Sequence, residues 1–403
     1  MRSIEVFTGA GGLALGTHRA GFHHLAVVEN DRNSCDTLRL NVGREAQTHV
    51  VWPVAPMDIA AFDCAPYRGG LDLLAGGPPC QPWSLGGKHG GKDDHRNLFP
   101  ELFRMVRELR PRALLIENVR GMTREVFRPY LDYILAQARC PFVAPLPGEA
   151  WEAHKERLDA QYGTHIASSP DRYDVSHTVV NAANFGVPQQ RHRVFIVAFR
   201  SDLRVRWSFP APTHSEDALL FAQYVDGTYW CEHDLAPCPA PPRLTGRVAR
   251  LAAKPKPLIS RWRTVRDAIS DLPEPIDHTP HPEYDNHVGI PDARPYPGHT
   301  GSPWDAPAKA IKAGDHGNPG GENMLRRDDD TVRYFTVREL ARLQTFPDEW
   351  HFANSWTESR RQLGNAVPVV LAEVFAARVR DELDGVDGRE REKHERTLLD
   401  VAD

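Results

Sequence analysis

FTGAGGLALG, residues 7 to 16, closes a short apolar run and opens a helical one across a turn holding Gly9, Gly11 and Gly12. Glycine at such a turn lets the backbone approach a ligand closely. The spacing is not G-x-G-x-x-G, so the turn alone does not specify a dinucleotide. The same pattern of apolar run and helical stretch continues outward from it. Strands are expected at Ser3 to Phe7, Leu25 to Glu29, Leu71 to Ala75, Ala113 to Glu117 and Arg193 to Phe199, with helices at Gly12 to Ala20, Ser34 to Leu40 and Glu101 to Arg110. Alternation of this kind predicts an α/β fold: a mostly parallel sheet with helices on both faces.

Composition sets outer bounds. The chain has 403 residues, 41% of them hydrophobic and 26% charged, enough for two domains and a sizeable core. A net charge of −5 gives no global attraction for a polyanion, so a nucleic-acid surface has to be a local patch. Six cysteines without a C-x-x-C pair suit a reducing compartment. The N-terminal pattern is not that of a secretory signal, and no apolar run approaches a membrane span. The expectation is a cytoplasmic protein with no membrane partner.

The candidate chemistry collects at strand ends. The second strand ends in VVEND, which puts Glu29 about twenty residues after the glycine turn, where an acid can accept ribose hydroxyls. Asp58 follows a further short apolar segment, and the three points together fit a nucleoside-bearing cofactor. In LLAGGPPCQPWS, residues 73 to 84, Cys80 is set among Pro78, Pro79 and Pro82 beyond a buried strand. Taken alone, Cys80 reads as a structural thiol. Glu117, ending the buried run ALLIE, changes that reading, because a carboxylate there must be paired, protonated or functional. Thiol and carboxylate make a nucleophile and a proton donor. Arg191 and Arg193 in QQRHR add two guanidinium groups suited to a polar or anionic substrate.

The ordered motifs resemble the DNA (cytosine-5) methyltransferases of bacterial restriction-modification systems. They are FTGAGG at 7 to 12, ENDRN at 29 to 33, MDI at 57 to 59, PPCQPWS at 78 to 84, RNLF at 96 to 99, ENV at 117 to 119, QQRHR at 189 to 193, TVRELARLQTFPD at 336 to 348 and GNAVP at 364 to 368. The resemblance implies a Rossmann-like methyltransferase domain using S-adenosylmethionine and releasing S-adenosylhomocysteine, plus a smaller target-recognition domain. It implies that Cys80 attacks carbon 6 of a flipped cytosine, that Glu117 contacts N3 and the exocyclic amine, and that Arg193, with Arg191 beside it, holds the base. It places Phe7, Gly9, Gly11, Glu29, Asp58, Ile59, Pro79, Leu98, Asn365 and Val367 at the cofactor. The Gly-rich residues 84 to 97 correspond to a loop that closes over the base. DNA contacts are expected from Gln81, Ser84, Lys309 and Lys312, and no metal is expected. Double-stranded DNA is the implied partner of a monomeric enzyme, with a restriction endonuclease as genetic partner.

Four segments follow along the chain: a catalytic domain at 1–201, a target-recognition domain at 202–357, a C-terminal helix at 358–386 that completes the first domain, and a charged, frayed tail at 387–403. The segment from 202 to 330 is rich in proline, with basic residues that fit either a solvated surface or a polyanion-binding face. WEAHKERLDAQYG, residues 151 to 163, reads as a helix inserted over the sheet. CEHDLAPC, residues 231 to 238, has no fourth ligand for zinc. Two rivals are an RNA cytosine methyltransferase on the same core, against which the long basic region counts, and a non-catalytic relative, against which intact Cys80, Glu117, Arg191 and Arg193 count.

Overall fold

A computed structural model describes residues 1–43, 50–79, 97–163, 169–296, 300–314 and 321–402, with side chains to Glu392. Cys80, Gln81 and Ser84, and the Gly-rich stretch to Arg96, lie outside the described residues. The chain divides into two compact units: 1–180, 192–210 and 372–403 form the first, 181–191 and 211–371 the second.

The first unit is built on strands β1 (Arg2–Val6), β2 (His23–Glu29), β3 (Val54–Pro56), β4 (Leu73–Gly76), β5 (Ala113–Val119) and β6 (Tyr173–Asn181). After the two-residue β7 (Gln189–Gln190) comes β8 (His192–Arg200). The main sheet has the order β3-β2-β1-β4-β5-β8-β6. Pairings from β3 through β5 are parallel, and β8 runs antiparallel to β5. β4 and most of β5 are buried on both faces, which is why they read as continuous apolar runs rather than alternating ones. Helices α1 (Gly12–Arg19), α2 (Arg32–Asn41) and α3 (Phe99–Leu109) connect them. This is a Rossmann-like architecture, as expected.

Topology alone collects the site. The chain turns from β1 to β2 on one side and to β4 on the other, and ligands of such sheets bind beyond the carboxyl ends at this reversal. Parallel β1, β2, β4 and β5 share that edge. Because β8 is antiparallel, its first residues reach the same edge, with Arg193 opposite Val119 and Phe195 opposite Glu117.

Beneath α1, the interior of β1 and β2 is polar. Ser3 and Glu5 are fully buried with Thr17 and His24. His24 Nε2 donates to the Ala14 carbonyl at 2.9 Å, so its Nδ1 accepts from the Ser3 hydroxyl at 3.0 Å. Burial pushes the His24 imidazole down to about 4, with His18 and His23 adding repulsion, while burial raises the Glu5 carboxyl well above its usual value. The two act in opposite directions. Glu5 contributes stability that is present at low pH and lost as pH rises through its folded pKa, whereas His24 must lose its proton for the protein to fold, so its contribution falls as pH drops below 6.5. Between pH 7.5 and 5 the His24 share amounts to about 2 kcal/mol. Denaturant unfolding of the parent and of His24→Gln at both pH values isolates it: the parent is expected to lose about that much more stability, and parallel losses would refute the assignment.

Helix α4 (Arg128–Arg139) is followed by α5 (Trp151–Gly163), the helix expected from the inserted sequence. Trp151 packs against Tyr130 and Tyr133, and His154 bonds the Tyr133 hydroxyl at 2.8 Å and the Val143 carbonyl at 2.7 Å. α5 is therefore a packed element.

The second unit is rich in loops, with short helices and a three-stranded sheet, Ser302–Pro303, Met324–Arg326 and Val332–Tyr334. A core of Ala183, Leu219, Ala222, Tyr229, Trp230 and Trp262 supports one part of it. The chain re-enters the first unit at Ala372, inside the helix Val369–Ala402, so residues 358–371, including the first three of that helix, lie with the second unit. Residues 181–191 also lie with the second unit, and 202–210 with the first. The tail expected to fray continues that helix to Ala402.

Candidate active site

The turn after β1 is held by backbone geometry. Phe7, Gly9 and Gly11 all have positive φ, at 58°, 56° and 93°. For phenylalanine this is a strained conformation of the kind found where a ligand has to be met by backbone. The Gly9 amide donates to Glu29 Oε2 at 2.6 Å, and the amides of Asn30 and Asp31 donate to Oε1 at 2.9 and 2.7 Å. Glu29 thus ties the glycine turn to the end of β2. Burial raises its pKa, against these three amide bonds, which lower it. Among the described residues nothing stands within 4 Å of the position a Gly9 side chain would take, so none of them crowds the turn.

Two further residues flank this turn. The Met57 amide bonds the Glu29 carbonyl at 2.9 Å, bringing Asp58 and Ile59 to the end of β2. Asp58 caps a short 3-10 turn through Ala60 at 2.8 Å, and its carboxylate is exposed. A buried acid at one strand end and an exposed acid beside the next, around a glycine turn that none of the described residues crowds, suit a ribose and an adenine. Leu98, at the start of α3, packs against the core of this unit.

At the ends of β4 and β5 lies an ion pair. Glu117 and Arg193 are almost buried, and Arg193 Nε lies 2.6 Å from Glu117 Oε1. The antiparallel register places Arg193 diagonally across from Glu117, within reach of its carboxylate. A side chain at Gly77 would come within 3.2 Å of Glu117 Oε2, so glycine leaves the carboxylate room at the end of β4. Asn118, not singled out from sequence, donates through Nδ2 to the Pro78 carbonyl at 3.1 Å. Pro78 and Pro79 are the residues that lead into Cys80. Asn118 belongs to the ENV motif, and its position next to a buried carboxylate is the signal that could have found it.

The described geometry is thus a glycine turn fixed by an acid, an exposed acid at the next strand end, and an ion-paired carboxylate tied to a Pro-Pro segment. A profile of the family described as C-5 cytosine-specific DNA methylase matches residues 1–139 and 168–380. The chain belongs to that family. Among curated relatives, the type II methyltransferase M.NgoMIV of Neisseria gonorrhoeae is 30% identical over 94% of this chain and 96% of its own. The type II methyltransferase M.Eco47II of Escherichia coli is 31% identical over 96% of this chain and 80% of its own. Among solved structures, the Dnmt2 methyltransferase of S. pombe shares the fold with a TM-score of 0.54, at 16% identity over 94% of this chain and 99% of that one.

The protein is accordingly a DNA cytosine-5 methyltransferase of the bacterial restriction-modification type, and the unmatched residues 140–167 contain its α5 helix. Other parts of the methyltransferase signature lie in the second unit. Arg191 is buried there: Nη1 bonds the Ile311 carbonyl at 2.9 Å, and Nη2 bonds those of Gly364 and Ala366 at 2.5 and 3.0 Å. Sequence reasoning set Arg191 beside Arg193 at the substrate, yet the two side chains leave one motif for different partners. Gln189, missed from sequence, accepts from the Ile311 amide at 3.1 Å and donates to the Leu343 carbonyl at 3.2 Å. Its signal was alternation with Arg191 along QQRHR. Arg191 thus holds the GNAVP turn, in which Asn365 is exposed and Val367 buried. Lys309 Nζ bonds Thr300 at 3.3 Å, and Lys312 Nζ pairs with Glu322 at 2.7 Å.

Proposed function

We propose that this methyltransferase modifies carbon 5 of a flipped cytosine in a specific duplex sequence through a covalent Cys80 adduct. The observation that carries the reading is the Glu117–Arg193 pair at 2.6 Å, on the strand edge from which Pro78 and Pro79 lead to Cys80. Carbons 5 and 6 of a stacked cytosine are out of reach in line, so the base has to leave the duplex. Carbon 5 is a poor nucleophile until the Cys80 thiolate adds at carbon 6 and makes it enamine-like. Electron density then moves toward N3, where Glu117 takes part in neutralising the charge. Arg193 holds the carboxylate in place and, through it, the base. Loss of the carbon 5 proton to a base expels Cys80 and restores the ring.

The cofactor site suits S-adenosylmethionine, which supplies the methyl group from its sulfonium and leaves as S-adenosylhomocysteine. Phe7, Gly9 and Gly11 shape its turn, Glu29 takes the ribose hydroxyls, and Asp58 and Ile59 meet the adenine. Pro79, Leu98, Asn365 and Val367 complete the set. Arg191, with its donors on three carbonyls, acts as a positioning residue for the Asn365 turn. Gln81, Ser84, Lys309 and Lys312 remain the proposed DNA contacts, in a cytoplasmic monomer with a restriction endonuclease as genetic partner.

Sequence specificity is assigned to the second unit, with base contacts from the loops around residues 304 to 323. Bisulfite sequencing of DNA from cells expressing the gene should reveal one methylated context. Grafting 211–371 onto a related catalytic core should carry that context with it. An unchanged context after the graft would remove specificity from this unit.

A further inference from the structure

From Leu235 to Arg266 the chain carries eight lysines and arginines and no aspartate or glutamate, within a protein of net charge −5. A surface that only needed solvation would mix its signs. The fold sorts these cations into two groups. Arg247 pairs with Glu216 and Asp217, Lys256 with Asp226, Arg261 with Glu232 and Asp267, and Arg266 with Asp305. Those four clip the segment to the rest of its own unit. Arg243, Arg250, Lys254 and Arg263 have no carboxylate partner among the described residues.

Three of these four fall on one stripe. The helix Thr245–Ala252 follows a 3-10 turn at Pro242–Leu244, and the Lys254 amide bonds the Leu251 carbonyl at 3.0 Å, so helical winding runs through the segment. Positions 243, 250 and 254 are separated by seven and four residues, which returns them to one face; Arg247, three residues before Arg250, shares that face, but its guanidinium is already taken by Glu216 and Asp217. All three stripe residues are exposed, whereas Leu251 is buried and Leu244 and Val248 are half-buried on the adjoining face, about a quarter-turn round the helix. Among the described residues Arg250 bonds only its own helix, at the Gly246 carbonyl, 3.3 Å away. An anchored apolar face and a row of unclaimed cations spanning roughly 16 Å of helix match successive phosphates of a duplex strand.

We propose that the Arg243, Arg250 and Lys254 face of this helix is a phosphate-tracking surface that binds the DNA backbone independently of sequence. The proposal rests on the DNA-methyltransferase reading and adds to it a division of labour: the four paired cations hold the unit together and the stripe holds the duplex. Backbone contacts fix register without reading bases, so the stripe governs affinity and salt dependence, not the methylated sequence.

The test is DNA binding by the full chain across a series of salt concentrations, on a duplex containing the methylated context and on one lacking it. For Arg243→Gln/Arg250→Gln/Lys254→Gln, the slope of log affinity against log salt is expected to shrink by about 2.7, at about 0.9 per phosphate, equally on both duplexes. Lys254→Gln alone should shrink it by about 0.9. Arg266→Gln, which breaks the pair with Asp305, is the contrasting variant: it should lower the unfolding temperature and leave the slope within error. Slopes equal to the parent's in both stripe variants would overturn the assignment of the stripe, and so would a loss confined to the methylated context. Absence of binding by the parent would instead overturn the DNA reading beneath it.

Discussion

Glu117→Gln is expected to slow methyl transfer by about 10²- to 10⁴-fold while leaving S-adenosylmethionine binding intact, the range set by removal of one proton-handling group from a transition state. The carboxylate lies at the end of β5, whereas the proposed cofactor contacts of the first unit depend on the β1 turn, Glu29 and Asp58. The substitution also strips Arg193 of its carboxylate partner, and that guanidinium is almost buried. A loss of stability is therefore expected alongside the loss of rate. Calorimetric cofactor binding and the unfolding temperature separate the two effects. If rate falls only where folding or cofactor affinity also falls, and recovers in Glu117→Gln/Arg193→Gln, Glu117 is a structural anchor. A rate loss in folded Glu117→Gln at full cofactor occupancy places the carboxylate in the reaction. Near-normal turnover in Glu117→Gln would remove it from the mechanism.

What sequence could and could not disclose follows from the range of each interaction. Five strands of the first unit, β1, β2, β4, β5 and β8, were legible to within two residues because they are apolar runs, whereas the short β3 and the half-buried β6 were not singled out; Glu29, Asp58 and Glu117 stood out as charges at the ends of such runs. The order of strands was not. It is the antiparallel return of β8 that brings Arg193 to Glu117, and nothing local to QQRHR records it. Arg191 illustrates the same limit in reverse. Two residues from Arg193, it gives its donors to carbonyls at Ile311, Gly364 and Ala366, more than a hundred residues away. The His24 and Glu5 cluster escaped notice because polar residues inside strands read as solvent-facing until both faces prove covered. In the basic segment, counting charges left surface and interface equally open. Acids distant in sequence decide which arginines are already paired.

Cys80→Ala is expected to reduce methylation below detection and to abolish a covalent complex that the parent forms with DNA carrying 5-fluorocytosine at the target position. Without a nucleophile at carbon 6, carbon 5 lacks the electron density to take a methyl group, so the covalent step is a requirement rather than an acceleration. Fluorine at carbon 5 lets thiolate addition and methyl transfer proceed but leaves no proton for the final elimination, so the bond from Cys80 to carbon 6 persists. With S-adenosylmethionine present, the parent should give a species that survives denaturation, and peptide mapping should place the adduct on Cys80. The remaining thiols make poor competitors: Cys35, Cys64 and Cys140 are buried, and burial raises the pKa of each, to about 11 for Cys35. Cys231 and Cys238 are exposed but belong to the second unit, away in sequence from any motif of the reaction. An adduct mapped to one of those two, or full methylation by Cys80→Ala, would break the link between the Pro-Pro segment that Asn118 ties down and the chemistry assigned to the residue that follows it.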